Sequence, residues 1–167
     1  FHYESKSPVF ACQRLKNGNT FVGECVTGRM LEISPKGKIV KETCILPKGV
    51  KDGGFAFMRN ARRLDNGHFL VAHYGDQCVK EYDANGKVWK LDVPGGPHSL
   101  TRLPNGHTLI AVADKDQNPR LIEVTPEGKT IWEISNADIP GKPLKFLGGF
   151  QYFSDGRFLI TNWTGHV

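Results

Sequence analysis

Arg59, His73, Tyr74, His98 and Trp163 are the residues of this 167-residue chain whose types suit a binding site. An imidazole at His98 can accept or donate a proton near neutral pH. A guanidinium at Arg59 can clamp a carboxylate, sulfate or phosphate through two parallel hydrogen bonds. His73 adds a polar contact, and Tyr74 and Trp163 add flat apolar faces. Structural duties compete with each role. His98 could hydrogen-bond a neighbouring backbone, Arg59 could bridge a carboxylate, and His73 could stand exposed at a strand end. No set of nucleophile, base and orienting group is legible, so no catalytic residue is assigned. Neither a phosphate loop nor a zinc motif is present. Asp114, Lys115 and Asp116 form a charged tip without the Gly and distal Glu of a calcium loop, and read as solvated loop.

What places these residues is a repeat. "ACQRLKNGNTFVGEC" (11–25), "NARRLDNGHFLVAHY" (60–74), "PHSLTRLPNGHTLIAVAD" (97–114) and "GFQYFSDGRFLITNW" (149–163) share one pattern around Gly18, Gly67, Gly106 and Gly156. A second glycine follows in three of the units, at Gly37, Gly86 and Gly128. Asn-Gly or Asp-Gly between apolar runs signals a hairpin, with both turn residues expected at positive φ. Each unit therefore holds two hairpins and four strands, in the second unit 60–64, 68–74, 78–83 and 87–92.

Four short strands in a unit of roughly 40–50 residues describe a β-propeller blade. The expected fold is all-β, one propeller domain or partial propeller over residues 1–167. Its blades run 9–46, 58–93, 98–135 and, in part, 149–163. Rings of this kind have about 4–8 blades, so a fragment of a larger propeller is the first expectation. A four-bladed ring closed by the N-terminus and two chains joined about a twofold axis are the alternatives. Residues 1–8 have the length of one outer strand.

Composition narrows the partners. Apolar residues make up 39% and charged residues 23%, as in ordinary globular chains. No apolar run reaches the roughly eighteen residues of a membrane helix, so no membrane span is expected. The chain begins at Phe1 inside repeat territory, which leaves a cleaved leader open. The net charge of +5 is spread over turn lysines such as Lys16, Lys36, Lys38, Lys87 and Lys129. It does not form a basic stripe with stacking aromatics, so no nucleic-acid partner is expected. Cys12 is expected as a small buried thiol in an inner strand. Cys25, Cys44 and Cys78 fall near strand ends, which leaves a disulfide among them open.

"KEYDANGKVWKLDV" (80–93) and "IEVTPEGKTIWEIS" (122–135) resemble the repeat of pyrroloquinoline-quinone-type propellers, where a Gly-Lys turn precedes a Trp on the outermost strand. Trp89 and Trp132 take that place, with Val40 or its neighbour in the first blade. The resemblance implies that both rings are largely buried against the adjoining blade. "PHSLTRLPNGHTLIA" is also similar to the arylsulfotransferase-like branch of these propellers. The resemblance implies fold more than chemistry. The metal site and disulfide-flanked pocket of quinone dehydrogenases have no match, and the cofactor is unknown. The expected setting is periplasmic or secreted.

The Asn-Gly and Gly-Lys turns share one face of the disc. The other face carries dissimilar connections, long at 46–60 and 136–150, and long loops on a rigid scaffold are where binding groups sit. Phe10, Arg59, His98 and Gly148 hold equivalent places there. So do Glu24, His73, Val112 and Asn162 at the ends of the second strands. Phe55, Phe57, Phe150 and Trp163 stand in or beside the same connections. The expected function is a binding module whose loop face takes a small molecule, a glycan or a protein. The alternative is an arylsulfotransferase-like or quinoprotein-type enzyme using His98 and Arg59. Further blades or a second chain would complete the ring.

Overall fold

The computed structural model describes residues 2–113, 118–139, 141 and 144–162. Asp114, Lys115, Asp116 and Trp163 lie outside these residues. Four antiparallel sheets follow one another along the chain, each a simple meander. The first holds β1 (Val9–Arg14), β2 (Thr20–Glu24), β3 (Arg29–Ile33) and β4 (Ile39–Cys44). The second holds β5 (Asn60–Arg63), β6 (Phe69–His73), β7 (Cys78–Tyr82) and β8 (Lys87–Asp92). The third holds β9 (Gly96–Arg102), β10 (Thr108–Ala113), β11 (Pro119–Val124) and β12 (Thr130–Ile134). The last pairs β13 (Leu147–Tyr152) with β14 (Phe158–Asn162). No helix among the described residues is long and apolar enough to cross a membrane.

The turns explain why the Asn-Gly signal works, with one correction. Only the glycine takes positive φ: +84° at Gly18, +89° at Gly67, +87° at Gly106 and +87° at Gly156. The preceding Asn or Asp does not share it. Its side-chain oxygen accepts the backbone N–H two residues on, at 3.0 Å for Asn17, 2.9 Å for Asn66, 3.0 Å for Asn105 and 3.1 Å for Asp155. Asn and Asp serve as side-chain acceptors, while glycine carries the left-handed backbone of a hairpin with a bulge.

Period-two alternation then builds the disc, because the second strand of each of the first three sheets buries both of its faces. Phe69 and Val71 of β6 point into a core shared with Phe21, Met30 and Ala11 of the first sheet. Leu70 and Ala72, one residue away, point into the core shared with Leu100, Ile110 and Val112 of the third. Leu109 and Ala111 of β10 turn to Leu147 and Phe150 of the fourth. The first strands contact in series, β1 with β5, β5 with β9 and β9 with β13, so they form the inner ring of the blades. This is the propeller arrangement. β13 does not pack back on β1 as these neighbours pack on each other.

Three details differ from expectation. Residues 2–8 form no strand of their own; Tyr3 and Ser5 hydrogen-bond Glu24 instead. Cys12 is exposed, since it alternates with Ala11 and faces away from the core that Ala11 enters. All four thiols are free: Cys25 and Cys78 are buried, and Cys44 is exposed. The two tryptophans meet the adjoining blade but are not deeply covered. Trp89 is half-buried, with its Nε1–H donating to the Pro126 carbonyl at 3.2 Å. Trp132 stacks one face on Phe158 at 5.3 Å and stays 36% exposed.

Candidate functional site

The inner strands carry an irregularity at equivalent places. Pairing of β1 with β2 skips Phe10, pairing of β9 with β10 skips His98, and pairing of β13 with β14 skips Gly148. Each skipped residue is the extra member of a β-bulge, a device that re-aims a side chain out of the pleat. Arg59 holds the same place just before β5, its N–H donating to the Ala72 carbonyl at 3.0 Å. His98 therefore lies inside its inner strand, not ahead of it.

Bulges at one end of three inner strands gather their side chains with aromatics from the connections. The Arg59 guanidinium lies 5.2 Å from the Phe10 ring and 5.2 Å from the Tyr74 ring, held between two π-faces. Tyr74 lies 4.9 Å from the His98 imidazole, and His98 lies 4.1 Å from the Phe146 ring, edge to face. Phe55, 6.4 Å from Phe10, extends the row into the 46–60 connection. The structure thus brings Arg59, Tyr74 and His98 together in one arc crossing the first sheet to the fourth.

Two atoms of this arc stand out. Nε of Arg59 and Nε2 of His98 are buried and have no hydrogen-bond partner among the described residues. Buried polar atoms are nearly always satisfied, so these two nitrogens are exceptions, as are Thr20 Oγ1, Asn60 Oδ1 and Arg120 Nε. His98 is 6% exposed. Burial, helped by the Arg59 charge, pushes its pKa down to about 4, so the imidazole is neutral at pH 7.

Described residues of the surrounding loops are tied to their neighbours by hydrogen bonds. Gly53 N–H donates to the Val26 carbonyl at 2.9 Å, and Gly75 N–H to the Ala56 carbonyl at 2.8 Å, which ties the 46–60 connection to both flanking blades. Asn136 bonds the Leu144 backbone at both its N–H and its carbonyl, which closes the third connection.

His73 is placed differently. It is fully buried, with Nδ1 at 2.8 Å from the Phe57 carbonyl and Nε2 at 2.9 Å from the Tyr82 hydroxyl. Burial, with the Lys80 charge adding to it, pushes its pKa down to about 4. Its equivalents do the same work. Glu24 is fully buried and accepts from Tyr3 at 2.9 Å, Ser5 at 2.7 Å and Thr27 at 2.7 Å. Burial pushes the Glu24 carboxyl up, but these hydrogen bonds outweigh it and hold the group below the usual carboxylate range. The Asn162 side-chain oxygen accepts the backbone N–H of Lys145 at 3.0 Å and of Phe146 at 3.2 Å. Val112, the apolar member, stands where the incoming connection is the short 93–97 stretch. The polar members of this column fasten the incoming segments of their blades.

Two members of the arc were not singled out by sequence as site residues. Phe10 shares the column of Arg59 and His98, a signal available in the repeat, whereas Phe146 sits in an irregular connection with no counterpart. Gly96, beside the arc, leaves room for it: a Cβ there would collide with the Tyr74 ring. Among the described residues no three His, Cys, Asp or Glu side chains gather as they would around a metal ion.

No protein-family model matches the chain. No curated protein matches it either. Solved structures do, over nearly its whole length. A Bacteroides caccae protein of unknown function superposes with a TM-score of 0.77 at 24% identity, covering 93% of this chain and 56% of that one. A streptogramin B lyase superposes at 0.66 and 16% identity, covering 93% of this chain and 48% of that one. Virginiamycin B lyase from Staphylococcus aureus superposes at 0.65 and 17%, covering 95% and 50%. The chain spans about half the length of these solved chains. Likeness at such identities establishes the fold, and that fold is a β-propeller.

Proposed function

We propose that the loop face of this propeller is a ligand-binding mouth for a small molecule or glycan bearing an anionic or hydroxyl group. The observation that carries this reading is the pair of buried, unpartnered nitrogens on Arg59 and His98, in equivalent places of adjacent blades, on either side of Tyr74. An acceptor seated between them would satisfy both and gain a charge-assisted bond from Arg59. Tyr74 and Phe146 offer apolar faces to a sugar or aryl ring. Neutral His98 presents an uncharged nitrogen, which suits a hydroxyl as well as an anion. His73 supports the mouth from behind by holding Phe57. An extracytoplasmic setting agrees with one further solved likeness, the extracellular domain of a hybrid two-component system of Bacteroides thetaiotaomicron.

Catalysis at the same mouth is the second reading. It is favoured by the buried, unpartnered Nε2 of His98, a nitrogen placed to exchange a hydrogen bond or a proton with a bound substrate. Two of the solved likenesses are titled lyases, and the sequence resemblance to arylsulfotransferase-like propellers points to aryl sulfates. Calorimetric titration with sulfated and uronic-acid sugars and with aryl sulfates tests both readings. Saturable heat that disappears in Arg59→Ala supports binding, and product formed from an aryl sulfate supports catalysis. Absence of both from every probe rejects the mouth.

A further inference from the structure

The seam between the first and second blades lacks the outer-strand tryptophan that the next two seams carry. Three strand-pair registers define the comparison. Glu81 of β7 stands opposite Trp89, Glu123 of β11 stands opposite Trp132, and Glu32 of β3 stands opposite Lys41. Lys41, not Val40, therefore occupies the outer-strand position that tryptophan takes in the next two blades.

What those two indoles touch is known. Trp89 donates its Nε1–H to the Pro126 carbonyl, two residues past the end of β11, and lies under Arg102, whose guanidinium is 5.2 Å from the ring. Trp132 stacks on Phe158, the residue opposite Tyr152 in the fourth hairpin. Each partner has a counterpart in the first seam. Ala84 lies two residues past β7, as Pro126 lies past β11. Arg63 stands at the Arg102 place, and Phe69, opposite Arg63, stands at the Phe158 place.

These counterparts surround a void. A cavity of about 260 Å³ is lined by Lys41, Glu32, Arg63, Phe69, Ala84 and Gly67, with Phe21 and Met30 behind them. Phe69 is stacked on Phe21 at 5.7 Å and carries the Arg63 guanidinium 4.6 Å above its ring. An apolar wall and a cation over it are thus present, Ala84 stands in the lining at the Pro126 place, and the indole is missing.

Charge narrows the ligand. The Glu32 carboxylate is already satisfied by Asn17 at 2.9 Å and Asn19 at 2.6 Å. Lys41 and Arg63 form no ion pair among the described residues. The Asn19 and Asn17 hydrogen bonds, helped by the charges of Lys41 and Arg63, hold the Glu32 carboxyl below its usual range. Two cations thus share one carboxylate, and the positive charge left over beside an aromatic slot favours a planar acid. We infer that the seam between the first two blades binds a free indole-type carboxylic acid, its ring in the place of the absent tryptophan and its carboxylate between Lys41 and Arg63.

The test uses indole-3-acetate as probe, followed by calorimetry and by amide shifts of Phe69 and Ala84. Wild type should bind saturably with shifts at those two residues. Lys41→Trp fills the slot from within, so it should melt higher than wild type and bind the probe at least about tenfold more weakly. Arg63→Gln keeps the backbone contacts and should weaken binding by about threefold, the size of an exposed cation–π contact. Indole without its carboxylate should bind more weakly than the acid. Failure of wild type to bind, unchanged binding by Lys41→Trp, or tighter binding of a Gly-Trp-Gly peptide than of the free acid would each overturn the assignment. Should Lys41→Trp not fold, Arg63→Gln decides: undiminished binding with no shift at Phe69 overturns it too.

Discussion

The ring of Tyr74 occupies the space that a side chain on Gly96 would need. Gly96 is not a turn glycine; it opens β9, two residues before His98. Its lack of a Cβ lets Tyr74 reach across from the second blade and lie between Arg59 and His98. The proposed mouth therefore depends on the missing side chain of Gly96. Gly96→Ala should push Tyr74 aside and cost about 1–3 kcal/mol, the usual penalty of overpacking. Binding at the mouth should fall with it, and urea unfolding beside calorimetric titration checks both. Stability and affinity equal to wild type would show that Tyr74 has room to move.

His73 and Tyr82 form a buried pair whose loss should be felt in stability alone. Tyr82 is 7% exposed, and burial pushes its phenol above the ordinary tyrosine value, so the hydroxyl stays protonated. Tyr82→Phe strands Nε2 of His73 in the core. The cost should be about 1–3 kcal/mol, the penalty of an unsatisfied buried group. Denaturant unfolding should show that loss, with ligand affinity unchanged. A drop in affinity at full stability would instead put His73 at the mouth.

Acid should begin to destabilise the fold through its two buried histidines. His73 and His98 both have native pKa values of about 4, below the ordinary 6.5. Between those values the unfolded chain binds protons that the native chain refuses. Stability is therefore full above pH 6.5 and falls as pH drops toward 4. Each histidine accounts for roughly 3 kcal/mol across that window. Unfolding free energy measured from pH 7 to pH 4.5 should slope downward, and His98→Gln should remove its share of the slope. A flat profile over that interval would mean that neither imidazole is shielded as described.

The blades were legible because their signals are local. In the second unit the four expected strands match β5 to β8 within one residue at every end, since Asp83, Asn66 and the turn glycines punctuate the chain at fixed offsets. The column of Phe10, Arg59, His98 and Gly148 was legible too, although its cause, a β-bulge, was not. The column of Glu24, His73 and Asn162 shows what spacing omits. Its variability resembles that of a ligand-facing rim, yet these side chains turn toward the incoming segment of their own blade. Side-chain direction at a strand end depends on the segment packed over it, which repeat alignment does not contain. The positive-φ expectation failed similarly, because Asn17 and Asn66 serve their turns through side-chain oxygens. Burial of Trp132 was overestimated because Phe158 covers only one face of its ring.

Trp89 and Trp132 should differ in their contribution to the seams. Trp89 has a hydrogen bond to Pro126 and a cation above its ring, whereas Trp132 has one stacked face. Both replacements should cost less than the roughly 3–5 kcal/mol of a core aromatic. Trp89→Ala should cost about 2 kcal/mol and Trp132→Ala about 1 kcal/mol, scaled to the covered area. Chemical denaturation of the two variants orders them; the reverse order would contradict the contacts described.

The mouth itself is tested most directly by the side-chain nitrogen signals of the two buried histidines. Nitrogen-15 spectra at pH 7 would be recorded with and without a saturating sulfated or uronic-acid sugar that binds in the titration. Nε2 of His98 should shift on addition, because it has no hydrogen-bond partner among the described residues and gains one. Both nitrogens of His73 should stay in place, because Phe57 and Tyr82 already hold them. An unmoved His98 signal, with shifts instead at the Gly18, Gly67 and Gly106 turns, would put the ligand on the opposite face and contradict the account.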